Sequence, residues 1–275
     1  MRIGIRAHDM GKLPAEELAA RIAAKGLSCV QLALNKAIAG LDLKPGDMSP
    51  GLAFHVGQAF QRQSVQIAVL GCYVNPIHPD LGTRNALLGL FKEHIRFARD
   101  FGCGIVALET GSVNADYSPH PDNHGEPAFR ASIESIAQLV EEAENFGAIV
   151  GIEGVTSHVV STPARMRRVL DTIRSNNLQV VFDPVNLISL ENHGDQDRII
   201  RESFDLFGNR IVVVHAKDFV VEGNACRQVR AGQGQFDYRL LLGILEQRKP
   251  RISILLEEAG EATVDECVRF LNRVL

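Results

Sequence analysis

The chain has 275 residues, 45% of them hydrophobic and 23% charged, a composition that suits a globular protein with a large core. A formal charge of −4 with no basic run argues against non-specific nucleic-acid binding, and no apolar run approaches the roughly 18 residues of a membrane span. Five cysteines (29, 72, 103, 226, 267) without a CxxC pair predict a reducing compartment, and the opening MRIGIRAHDM lacks a signal-peptide stretch, so a cytoplasmic protein is expected.

Arg2–His8 reads as a first strand with His8 and Asp9 at its end. Leu18, Ala19, Ile22 and Ala23 then recur at helical spacing until Gly26, and Cys29–Leu34 is the second strand. A helix near Leu52–Arg62 leads to strand Gln66–Tyr73, which opens into NPIHPD and so brings Asn75 and His78 to a strand end. Leu87, Leu90, Phe91, Ile95, Ala98 and Phe101 mark a long amphipathic helix, followed by strand Ile105–Leu108 and Glu109. The polar segment Ser112–Pro127 is long for a connection in a compact domain, which predicts a functional or disordered loop.

Ile133 to Phe146 is the next helix, closed by Gly147, and IVGIEGV is the strand that carries Glu153. Thr162-Pro163 starts a helix through Ile173, Gln179–Phe182 delivers Asp183, and Ile199 to Phe207 is helical up to Gly208. RIVVVHAKD is a strand buried on both faces, with His215 placed where it runs out, followed by Lys217 and Asp218. A helix around Leu240–Leu245, the strand ISILLEE with Glu257 and a final helix with Thr263 and Glu266 as a capping box complete the chain. Eight strand-then-helix units of about 34 residues predict a single α/β domain over residues 1–275, a (β/α)8 TIM barrel.

In such a barrel the functional side chains come from the C-terminal strand ends. Glu153, Asp183, His215 and Glu257 hold that position in the last four strands, and three carboxylates with one imidazole suit one divalent ion: Mn²⁺ first, with Mg²⁺, Co²⁺ or Zn²⁺ as alternatives. A cation there would polarise a substrate's carbonyl and its neighbouring hydroxyl, which acidifies the adjacent C–H and leads to an enediolate.

The order IEGV, FDPVN, VVHAKD, GQGQFDY and ILLEE resembles the xylose-isomerase-like TIM-barrel superfamily of sugar isomerases and epimerases, especially the branch of D-tagatose 3-epimerase and L-ribulose-5-phosphate 3-epimerase. The resemblance implies metal ligation by Glu153, Asp183, His215 and Glu257, with the two glutamates also acting as the acid/base pair, one on each face of the substrate carbon. Asn186 departs from the superfamily's D-x-x-H pattern, and the missing histidines argue against a three-zinc endonuclease. Asn186, Lys217, Asp218, Glu109, His8 and Asn75 are the candidate substrate contacts. The expected ligand is a sugar or sugar phosphate, and the outer helices leave room for a homo-oligomer. An inosose-dehydratase-like lyase and a non-catalytic sugar-binding barrel are the competing readings.

Overall fold

The computed structural model describes residues 1–274. Eight parallel strands form the wall of a barrel: β1 (Arg2–Arg6), β2 (Cys29–Leu32), β3 (Gln66–Gly71), β4 (Ile105–Glu109), β5 (Ile149–Glu153), β6 (Leu178–Phe182), β7 (Ile211–Glu222) and β9 (Ser253–Leu256). Neighbours pair in sequence order, β9 sits between β7 and β1, and pairing of β6 with β7 closes the ring. The expected (β/α)8 barrel is the fold observed. The helices that cover it are α1 (Ala15–Ala24), the single turn α2 (Leu34–Ala37), α3 (Pro50–Arg62), α4 (Leu81–Phe97), α5 (Glu126–Phe146), α6 (Pro163–Ile173), α7 (Gln196–Phe207), α8 (Tyr238–Arg248) and α9 (Val264–Val274). Among the described residues no helix is long and apolar enough to cross a membrane.

Successive side chains of a strand point to opposite faces, so each wall strand feeds two layers. Cys29, Ala68, Val69, Ala107, Val181, Val213 and Leu255 form one small buried cluster, while their strand neighbours Val30, Leu70, Leu108, Phe182, Val214 and Leu256 belong to the large cluster packed under the helices. The small cluster fills the barrel interior. Gly4 shares this inner layer because space forbids anything larger: a Cβ there would come within 2.0 Å of the Cys29 carbonyl oxygen. Stepping two residues along each strand from the inner cluster reaches Arg6, Gln31, Glu109, Glu153, Asp183, His215 and Glu257, which form the next ring toward the mouth.

Two elements differ from expectation. β7 does not end at His215; it runs to Glu222 and pairs antiparallel with β8 (Ala225–Arg230). Gly223-Asn224 forms a two-residue loop with Gly223 at φ 58°, the positive angle that glycine adopts at the first position of such hairpins. The capping box before α9 does not form either. The Thr263 hydroxyl donates to the Gly260 carbonyl, and Glu266 instead pairs with Arg230 at 3.0 Å. The Thr162 cap is present, its Oγ1 accepting from the Arg165 amide at 3.2 Å.

Candidate active site

The inner ring places ionisable groups where no water surrounds them: Glu153, Asp183, His215, Lys217 and Glu257 are all buried. His215 lies at the centre. Its Nδ1 is 3.3 Å from Glu153 Oε1, 3.1 Å from Glu257 Oε1 and 4.0 Å from Asp183 Oδ2, while Nε2 donates to Gln31 Oε1 at 2.6 Å. That last bond fixes which nitrogen faces the carboxylates. Burial pulls the imidazole pKa down, but the negative charges of Glu153 and Glu257 outweigh it and raise it to about 9.

Lys217, two residues further along β7, enters the same space. Its Nζ lies 2.8 Å from Asp183 Oδ2 and 2.9 Å from Glu257 Oε2. Arg6 Nη1 approaches Glu257 Oε2 at 3.2 Å. Burial alone would raise the Glu257 carboxyl; the charges of Lys217, His215 and Arg6 reverse this and hold it at about 2. Asn186 Nδ2 donates to Glu153 Oε1 at 2.7 Å, and Asn186 Oδ1 accepts from Gln228 on β8 at 2.9 Å.

Glu153, Asp183 and His215 offer donor atoms that all lie within 4.8 Å of one another. Asp183 Oδ2 is buried and has no hydrogen bond of acceptable geometry, even with Lys217 Nζ beside it. Three hard or borderline donors fit a divalent cation, which would share Asp183 Oδ2 with the Lys217 ammonium 2.8 Å away. Glu257 is not one of these three: it reaches the same imidazole nitrogen, but its other oxygen is held by Lys217 and Arg6.

The remaining candidates divide. His8, Asn75, Glu109, Asn186 and Lys217 line a cavity of about 650 Å³ that opens over this cluster. Asn75, however, spends its amide on the following loop, donating to the carbonyls of Ser112 and Asn114 and accepting from the amides of Ile77 and Ser112. The segment after β4 is ordered by Asn123, which accepts from the Val113 amide and donates to the Ser157 carbonyl. It brings Tyr117 edge-on to His158, ring centroids 4.8 Å apart, as part of the cavity wall. Glu109 Oε2 is 3.2 Å from His158 Nδ1; burial and the nearby Glu153 charge lift its carboxyl to about 7.

Asp218 does not face the cavity. Its Oδ1 accepts from the amides of Phe219 and Phe236, both at 2.8 Å, and its Oδ2 from Gly232 at 3.1 Å. This explains the Gly232-Gln-Gly234 segment. Gly232 has φ +85°, and a Cβ on Gly234 would come within 2.4 Å of Asp218 Oδ1. The glycines serve the clamp.

Sequence reasoning missed Gln31, Arg6, Tyr117 and His158 as parts of the site. For Gln31 and Arg6 a signal was present, since each stands two residues beyond a small inward residue, Cys29 and Gly4. Tyr117 and His158 sit on loops, where no period applies. A second cavity of about 490 Å³, between α3 and the turn after α4, lies at the other end of the barrel and contains none of these groups.

A parallel eight-stranded barrel with a carboxylate and histidine cluster at its C-terminal mouth defines the class. The chain belongs to the xylose isomerase-like TIM barrel family, whose model matches residues 6–274. No curated protein matches it. Among solved structures it is similar to a D-tagatose 3-epimerase-like protein (17% identity over 99% of each chain, TM-score 0.76). It is similar also to the IOLI protein with a binding zinc atom (15% identity, 100% of this chain and 96% of that one, TM-score 0.76). A third likeness is D-psicose 3-epimerase with D-tagatose from Clostridium cellulolyticum H10 (12% identity, 100% and 99%, TM-score 0.73). At these identities the likeness concerns the fold.

Proposed function

We propose that the protein is a sugar isomerase or epimerase that transfers a proton at the carbon beside a ketose carbonyl, with Glu153 and Glu257 as the acid/base pair. The observation that carries this reading is the approach of two buried carboxylates, one from β5 and one following β9, to the same imidazole nitrogen at 3.3 and 3.1 Å. Two such groups suit inversion, in which the C–H bond breaks toward one carboxylate and a proton returns from the other, because a single base tends to restore the original configuration.

Glu153, Asp183 and His215 would hold one divalent cation, with Glu257 as the fourth side chain; manganese is our first choice. When bound, such a cation supplies Lewis-acid polarisation of the substrate carbonyl. The chain's own residues do the rest. Asn186 fixes the Glu153 carboxylate through its 2.7 Å hydrogen bond, and Lys217 and Arg6 keep Glu257 ionised.

The test is incubation of Mn²⁺-loaded protein with free and phosphorylated ketoses in deuterated water. Deuterium should enter at the carbon beside the carbonyl and an epimer or isomer should form, and Glu153→Gln and Glu257→Gln should each lower the rate by about 10²–10⁴-fold. Departure of a hydroxyl from the same carbanion, in place of reprotonation, would be elimination, the second reading. Accumulation of an unsaturated product in place of the epimer would select it.

A further inference from the structure

The outer half of the cavity contains polar groups that the proton-transfer chemistry does not use, and their charge state bears on the ligand. Tyr117, His158 and His8 line it. The Tyr117 hydroxyl is buried and makes no hydrogen bond of acceptable geometry, although the Gly111 backbone lies near it. His8 Nδ1 is likewise buried without a partner, and His158 Nδ1 has only the poorly aligned Glu109 oxygen. Burial lowers both histidines to about 4, so they present neutral imidazoles near pH 7.

The cations of the mouth are already committed. Arg6 contacts Asp9, Glu257 and Glu258 through its three nitrogens, and Lys217 is shared by Asp183 and Glu257. Arg230, near the glycine segment, is paired with Glu266. Among the described residues that line the cavity, Lys36 is the cation without an ion pair; it is exposed and lies over the Tyr73 ring, 4.5 Å from its centroid. Glu109, Asp116, Glu153 and Glu257 line the same space. A phosphate dianion there would lack the forked or multiple free cationic donors that recognise it.

Resting on the isomerase or epimerase reading, we infer that the wall formed by His8, Tyr117 and His158 is a subsite for the uncharged polyol end of the substrate, so that the protein acts on a free ketose and discriminates against its terminal phosphate ester.

Calorimetric titration of the Mn²⁺-loaded protein with a free hexitol and with the same hexitol carrying a terminal phosphate tests this without turnover. The free hexitol should bind about tenfold or more tightly, because the phosphate would give up its hydration without gaining the paired cationic donors that replace it. Tyr117→Phe should weaken hexitol binding about two- to tenfold while leaving the thermal midpoint unchanged or higher, since the hydroxyl has no hydrogen bond in the free protein to lose. Equal or tighter binding of the phosphate ester, especially if lost in Lys36→Ala, overturns the inference, as does failure of both to bind. Deuterium exchange separates this from the isomerase reading. Exchange into the phosphorylated ketose alone ends the polyol subsite and keeps the reading, whereas hexitol binding with no exchange into any ketose ends the reading and keeps the subsite.

Discussion

Lys217 Nζ lies 2.8 Å from Asp183 Oδ2, an ammonium held against a buried carboxylate in the space where a divalent cation would share that oxygen. Burial opposes the lysine's charge, but Asp183 and Glu257 outweigh it and raise the lysine pKa. The side chain therefore neutralises part of the acidic ring whenever metal is absent.

Lys217→Met removes this charge at similar length. It strands Asp183 and Glu257, and breaking a buried pair costs about 3–5 kcal/mol. Chelator-treated variant should lose stability on that scale in urea denaturation, and Mn²⁺ should raise its midpoint more than it raises the wild type's. A chelated variant as stable as the wild type would show that the ammonium is not what balances the ring.

Gln31 acts through His215. Gln31→Leu deletes the acceptor for Nε2–H, freeing the ring to take the wrong tautomer or orientation. The expected cost is about 10–100-fold in Mn²⁺ affinity, as for other partners of ligating histidines. Titration of the apo protein with Mn²⁺, followed by paramagnetic resonance of the free ion, measures it.

Glu109 gives stability a pH dependence. Its folded-state pKa is raised from 4.5 to about 7, so the folded protein holds this proton more tightly than the unfolded chain does. The associated stability is complete below about pH 4.5 and is lost as pH rises toward 7, with an upper limit of about 3 kcal/mol. His158, lowered to about 4, works in the opposite direction: its contribution is present above 6.5 and lost as pH falls. Glu109→Gln retains the His158 dependence and removes the other. The variant should therefore gain stability relative to wild type between pH 5 and 7, read as the difference in urea midpoints; a constant difference would refute the assignment.

Asp218 is a loop clamp. Asp218→Ala leaves three backbone N–H groups of Gly232, Phe219 and Phe236 without their acceptor and should cost about 3 kcal/mol of stability. Its effect on KM for a ketose should be small compared with that of Tyr117→Phe. A large KM change at unaltered stability would return Asp218 to the substrate contacts.

The barrel was legible because its signals are local and periodic. Apolar runs ending in Glu153, Asp183 and Glu257 recur at strand spacing, and inward parity follows from the two-residue period. His215 was placed on the right strand, yet the continuation through Phe219 and Val220 into a hairpin escaped notice, although Gly223-Asn224 is a turn signal between two strand-like runs. Asp218 read as a ligand contact because a carboxylate at a strand end looks alike in sequence whether it binds a sugar or the backbone of a neighbouring loop. Tyr117 and His158 meet across 41 positions, and only tertiary packing brings them together.

The β7–β8 hairpin carries Gln228 to Asn186, and Asn186 in turn holds Glu153. A solvent-facing loop is thereby wired to the acid/base group by two amides. For anyone retuning this scaffold by laboratory evolution, the hairpin is not a free insertion point: Arg227 and Asn224 on it can be randomised, whereas each exchange at Gln228 also resets the aim of a carboxylate deep in the barrel.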